Sequence, residues 1–197
     1  MASEFPSKAA LFQELLLAVL LVVLLVLHRD LLFKNKKISI KLIGKAILWG
    51  LVAIILEIIV IAGFVLFTKT VLPSVNTTKV ISIILRNPIF IVYTVIIAPL
   101  LEELVFRYSF FNLTVIIYSK LFNRNNQEKH SSVLRWLVCA LVTAFMFAGL
   151  HADNTVWEYI LISVYLQWLF YYYKDIRMSM IAHMVFNLTT LILLLVV

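Results

Sequence analysis

Cysteine occurs once in this chain, at Cys139, so no intrachain disulfide and no multi-cysteine metal site can form. Only four glycines are present, and none falls in a Gly-rich phosphate loop. His-Glu-x-x-His, the usual sequence support for a zinc hydrolase, is also missing. Charge is scarce, at 14% of residues against about a quarter in soluble domains. No repeat, heptad or low-complexity tract stands out.

What fills the chain instead is apolar. Hydrophobic residues make up 63% of the sequence, and mean hydropathy is +1.05. The runs are continuously apolar rather than alternating, which argues against a membrane β-barrel. The reading is an all-α, polytopic transmembrane helical bundle. At about 20 residues per span, 197 residues allow about six to eight membrane helices in one compact bundle, with no room for a separate soluble domain. The net charge of +7 is read as topology and lipid-headgroup contact, not nucleic-acid binding.

Residues 11–27 make the first expected span. No small-residue cleavage site follows, and Gln13 and Glu14 sit early in the run, so a signal peptide is the weaker reading. Residues 28–41, with Arg29, Lys34, Lys36, Lys37 and Lys41, are the densest positive loop and are placed in the cytoplasm. Residues 46–67 form a second span with Glu57 near its middle. Two readings of Glu57 stay open: a single carboxyl bonded to a neighbouring hydroxyl within the bundle, or a second functional acid. Residues 68–88 are a polar connection whose apolar stretch, Val80 to Leu85, suits the membrane interface. Asn76-Thr77-Thr78 matches a glycosylation sequon, a pattern common by chance.

Further spans are expected over 89–107, 133–150, 155–172 and 179–197. Residues 108–122 fit either a separate short span or the continuation of a bent helix. The loop 123–132 is the most polar of all, and its His130 reads as a solvated loop residue. Trp168 and Tyr171–Tyr173 read as an aromatic belt at one interface.

The span 89–107 carries an anomaly. Glu102, Glu103 and Arg107 stand inside an apolar run, and each such charge costs about 2.5–3.5 kcal/mol at a bilayer centre. Glu103 and Arg107 are i,i+4 and can neutralise each other. Glu102 is turned by about 100° from Glu103 and faces a different space. One carboxylate therefore reads as structural and the other as free for chemistry. Pro99, just before them, cannot donate to the carbonyl four residues back, that of Val95, and tends to kink the helix. Within a membrane such breaks border cavities.

Three further polar residues stand within or beside apolar runs: His151, His183 and Asn187, the last two sharing a helix face. Together with Glu102 they permit hydrolysis. A carboxylate helped by an imidazole can take a proton from water, and an imidazole and an amide can donate to an oxyanion. Zinc on Glu102, His151 and His183 is the alternative use of the same groups.

Glu102-Glu103-x-x-x-Arg107, Phe147-x-x-x-His151 and His183-x-x-x-Asn187, in that order and in separate spans, resemble the CPBP family of intramembrane endopeptidases (CAAX proteases and bacteriocin-processing enzymes, also called Abi). That family includes the type II CAAX prenyl endopeptidases. The resemblance divides the chain into N-terminal helices with a linker (1–88) and an Abi/CAAX-protease-like core (89–197). It implies that Glu102 and His151 activate water, that His183 and Asn187 form the oxyanion site, and that Glu103 and Arg107 hold the structure. It favours a metal-free mechanism with no cofactor. It implies a multi-pass protein of a bacterial cell membrane, acting on a membrane-associated or C-terminally processed protein or peptide, with lipidated proteins, bacteriocins and signal peptides as candidates. Tyr108 and the turn Lys174–Ser179 stand where the family often has glycine, which bears on the substrate entrance. The competing expectations are a non-catalytic membrane immunity or scaffold protein that binds a peptide or sensor, and a small transporter built on Glu57 and the Glu/His set.

Overall fold

The computed structural model describes residues 39–122 and 132–196, together with scattered positions between 19 and 30. The expected first span, the positive loop after it and His130 therefore lie largely outside the described residues. Among these residues the chain is all α, with six helices and no strand.

Helix α1 is Ile40–Thr68. It starts six residues before the expected span because the Ser39 side chain accepts the Leu42 amide at 3.1 Å and so caps it. Lys41, expected in the loop, and Lys45, just beyond it, sit exposed on its first turns. There their long side chains can reach headgroups while the backbone stays helical. Lys69 ends the helix in a left-handed conformation, φ 57°. Helix α2, Val75–Arg86, is the amphipathic stretch of the polar connection, with Ser74 as its N-cap.

Helix α3 runs from Phe90 to Phe122 without a break in helical backbone. Residues 108–122 are thus a continuation and not a separate span. Two π-helical segments, Tyr93–Ile97 and Glu103–Phe110, interrupt its α-helical register. Helices α4 (Ser132–His151), α5 (Val156–Tyr173) and α6 (Ile176–Val196) complete the bundle. The turn before α6 is shorter than expected. Asp175 caps the helix, accepting the Arg177 amide at 3.1 Å and the Arg177 guanidinium at 2.7 and 2.8 Å, so helical structure begins at Ile176.

Three stretches, Ile40–Thr68, Val133–His151 and Ile176–Val196, are long and apolar enough to cross a membrane by themselves. Helices α3 and α5 bury Glu103, Arg107, Ser163 and Gln167, and α6 buries Arg177, Ser179 and His183. The core threads all five long helices through Ala53, Ile54, Phe106, Phe147, Leu166, Ala182 and Phe186. Helix α1 packs on α6 at Gly50, where a Cβ would stand 2.7 Å from the Ala182 carbonyl oxygen and from Val185 Cβ. Glycine is needed there for backbone approach, as at other close helix crossings in membranes. Part of the expected aromatic belt turns inward at this point. The Trp49 indole donates to the Tyr173 hydroxyl at 2.7 Å, and the Tyr165 hydroxyl donates to the Trp49 carbonyl at 2.7 Å.

Candidate active site

The site begins with a backbone defect. In the first π segment amides bond five residues back, as the Ala98 N–H does to the Tyr93 carbonyl. Pro99 has no N–H to continue that series. The carbonyl it leaves unpaired is therefore that of Thr94, not of Val95 as an α register would have it. The Asn187 side-chain amide, from α6, donates to the Thr94 carbonyl at 3.0 Å. Asn187 thus repairs the break and keeps a second N–H for other use.

The two glutamates separate as their angular offset predicts. Glu103 and Arg107 are fully buried, with Arg107 Nε 3.3 Å from Glu103 Oε1. The Glu102 side chain keeps 26% of its surface exposed. One partner was not legible in the i,i+4 spacing. The His183 Nδ1–H donates to Glu103 Oε1 at 3.0 Å, and its Nε2 stands 3.6 Å from Glu102 Oε2. The imidazole therefore sits between the paired carboxylate and the exposed one. Because Glu103 fixes Nδ1 as the donor, Nε2 faces Glu102 with its tautomer set.

His151 reaches the same space from the end of α4. Its Nδ1–H donates to the Phe147 carbonyl at 2.8 Å, leaving Nε2 as the basic nitrogen. No hydrogen bond joins it to Glu102 or His183 among the described residues. Phe147 links the groups instead. Its ring centroid is 4.5 Å from that of His151, 6.4 Å from that of His183 and 4.8 Å from the Arg107 guanidinium carbon. The aromatic face compensates the buried cation, which gives the Phe of Phe147-x-x-x-His151 a physical task.

Glu102, His151, His183 and Asn187 all line one cavity of about 290 Å³. Glu57 lines it too, opposite Glu158, and has no hydroxyl partner among the described residues, so the first reading of Glu57 fails in its detail. Helix α2 forms the roof through Asn76, Thr77, Val80 and Ile81. Asn76 is engaged there, its amide donating to the Tyr159 hydroxyl at 3.3 Å, so the sequon is no free surface site.

Two residues of this region were missed by sequence reasoning. Asp153 accepts from the Ser74 hydroxyl (2.5 Å), the Val75 and Asn76 amides (3.0 and 3.1 Å) and the Tyr159 hydroxyl (2.9 Å). Burial alone would raise its carboxyl, but these donors outweigh it and hold the group down at about 2. Tyr159 stacks on His151, with centroids 4.2 Å apart and planes 25° apart. Only the nearness of Asp153 to His151, in a polar gap between apolar runs, marked it in the sequence.

Among the described residues no three His, Cys, Asp or Glu side chains converge to hold a metal ion. Glu102 Oε2 and His183 Nε2 stand 3.6 Å apart, and His151 lines the same cavity.

The cavity inside this all-α membrane bundle is thus lined by three carboxylates (Glu57, Glu102 and Glu158), two imidazoles and the amides of Asn76 and Asn187. Residues 84–189, just over half of the chain, match the family of type II CAAX prenyl endopeptidase Rce1-like proteins, and the chain belongs to that family. Over 115 residues it is 32% identical to the membrane-embedded CAAX protease MroQ of Staphylococcus aureus (strain USA300), a stretch covering 58% of this chain and 42% of that protein. The chain thus spans under half the length of this curated relative. No solved structure matches it.

Proposed function

We propose that the chain is an intramembrane endopeptidase of the bacterial cell membrane, in which Glu102 activates water without a metal. One observation carries the reading: of two adjacent carboxylates, the one that is not neutralised by Arg107 opens to the cavity beside an imidazole. Glu102 takes a proton from water, aided by the basic Nε2 of His151, and the hydroxide oxygen adds to the carbonyl carbon of the scissile peptide. The second N–H of Asn187 stabilises the oxyanion, and His183, whose Nδ1–H is committed to Glu103, joins it through Nε2–H as the imidazolium. As the C–N bond breaks, the proton held by Glu102 or His151 passes to the leaving amine, and both groups return to their starting state. Glu103 and Arg107 hold the imidazole and the helix in register.

The substrate is a membrane-associated or C-terminally processed protein or peptide. The MroQ relative, itself a CAAX protease by name, supports that class. A lipidated tail, a bacteriocin or a signal peptide would each meet the apolar and polar halves of the cavity wall. The test is a comparison of peptide termini in membranes from cells expressing wild type or Glu102→Ala at equal levels. New termini confined to wild type are expected, and would name the substrate. Identical termini would overturn the reading in favour of a binding or immunity role.

A further inference from the structure

The roof helix is held at two ends by different means. Near its C-terminus Ile84 is buried against Val95 and Leu191, with Val80, Phe90 and Ile91 packed around them. Near its N-terminus no buried apolar residue anchors it, and Val75 and Thr78 are exposed. What holds that end is Asp153. Asp153 keeps only 7% of its surface exposed, and its two carboxylate oxygens receive five donors. Oδ1 takes the Val75 amide and, at 3.4 Å, the Thr155 amide. Oδ2 takes the Ser74 hydroxyl, the Asn76 amide and the Tyr159 hydroxyl.

The carboxylate is aimed by an unusual backbone. Ala152, between His151 and Asp153, stands in the left-handed region at φ 46°. That conformation is costly for a residue with a Cβ and persists only where surrounding contacts hold it. Here it ends α4 at His151 and turns Asp153 back over the cavity.

The same Oδ2 that holds the roof also holds the ring on which His151 is stacked. Tyr159 donates to Oδ2, receives the Asn76 amide, and lies against the imidazole. His151 has its Nδ1 fixed by the Phe147 carbonyl. That bond alone leaves the ring plane free to swing about the hydrogen-bond axis. Tyr159, stacked with its centroid 4.2 Å away, and Phe147, tilted with its centroid 4.5 Å away, restrict that freedom.

We propose that Asp153 is a positioning residue: through Tyr159 it sets the His151 imidazole, and through Ser74 and the first amides of α2 it latches the roof, so that the imidazole is set only while the roof is seated. This rests on the endopeptidase reading for its consequence in catalysis, but not for its geometry. A peptide too long for a cavity of about 290 Å³ enters by displacing the α2 N-terminus, and reseating of Ser74 on Asp153 restores the imidazole to its working plane. An asparagine at 153 cannot keep all five bonds, because its NH₂ would face either the Asn76 amide or the Val75 and Thr155 amides, which have no means to accept.

The experiment uses the full chain in nanodiscs, with Asp153→Asn, Tyr159→Phe and Ser74→Ala. Amide hydrogen exchange is read at residues 75–78 against 83–86, and the ¹⁵N resonances of His151 are assigned by their loss in His151→Gln. Asp153→Asn is expected to speed exchange at 75–78 by at least about tenfold, as the loss of a buried charge-assisted bond implies, with 83–86 unchanged, and to move the His151 resonances. Tyr159→Phe is expected to move those resonances with exchange at 75–78 nearly unchanged. Ser74→Ala is expected to speed the exchange and move the resonances in the direction of Asp153→Asn. On a peptide whose cleavage requires Glu102, Asp153→Asn and Tyr159→Phe lower kcat by about 10- to 100-fold with KM within about twofold, the usual cost of a misplaced catalytic group.

Wild-type exchange and His151 resonances in Asp153→Asn would overturn the proposal. Where Asp153→Asn does not fold, Tyr159→Phe decides, and unmoved His151 resonances in it overturn the proposal equally. If no peptide is cut in a Glu102-dependent way, the endopeptidase reading falls while exchange and resonances still judge Asp153.

Discussion

The wall and the roof of the cavity are both polar, and opposite means hold them. In the wall, Glu103, Arg107 and His183 are buried among packed helices, and each charge is met by a neighbour on α3 or α6. In the roof, a short amphipathic helix is pinned at one end by hydrogen bonds to a single carboxylate. The wall ties its partners to rigid backbone, so removing one leaves an uncompensated buried charge. The roof can part from its partner and find water. The endopeptidase reading proposed above asks for both kinds of attachment: groups held still in the wall and a roof that parts to admit a peptide.

The largest break in this contrast is expected in the wall. Glu103→Gln leaves Arg107 as a buried cation without its counter-ion, a change that costs about 3–5 kcal/mol. Glu102→Gln, on the exposed carboxylate, should leave stability within about 0.5 kcal/mol of wild type while ending cleavage. Thermal unfolding of both variants in one detergent measures the difference, and equal midpoints would remove the structural role of Glu103.

Next comes the packing that brings α6 to the wall. Gly50→Ala places a Cβ 2.7 Å from the Ala182 carbonyl oxygen and should cost about 1–3 kcal/mol, as overpacked cores do. Gly63→Ala, on the same helix with nothing within 4 Å, should instead be neutral or stabilising by up to about 1 kcal/mol. The same unfolding assay separates them.

The roof is expected to respond to acid. Asp153 is held at about 2, below its ordinary 3.8, so the unfolded chain binds its proton first as pH falls. Its stabilisation, on the order of 1–2 kcal/mol, is full above about pH 4 and is lost as pH falls through about 2. Exchange at residues 75–78 measured from pH 5 to pH 2 should rise over that window beyond the intrinsic trend, and should not do so in Asp153→Asn. The smallest effect is expected from a chelator: cleavage should stay within about twofold, the scale of 0.4 kcal/mol. Loss of activity restored by zinc would reinstate Glu102, His151 and His183 as ligands.

Much of the wall was legible before any coordinates. Low charge and continuous apolar runs fix an all-α membrane protein, and the i,i+4 spacing of Glu103 and Arg107 foretold their ion pair. The approach of His183 to both glutamates was not legible, because it depends on how α6 crosses α3. Nor was the repaired carbonyl, because no residue pattern announces where a helix slips into five-back bonding; an α register names Val95 where the π register exposes Thr94. The roof was least legible. Asp153 draws three of its five donors from residues nearly eighty positions earlier, and a sequence scan sees there only a polar connection.

The bond from Asn187 to Thr94 also has a consequence for the order of events during synthesis. Helix α6 leaves the ribosome after every other described element, and it brings both His183 and the amide that closes the gap at Pro99. Until it joins the bundle, Glu102 has no imidazole beside it from that side, and the helix that carries it has an open carbonyl in the bilayer. The approach of His183 to Glu102 and the repair of the Thr94 carbonyl are therefore completed only when α6 joins the helices made before it.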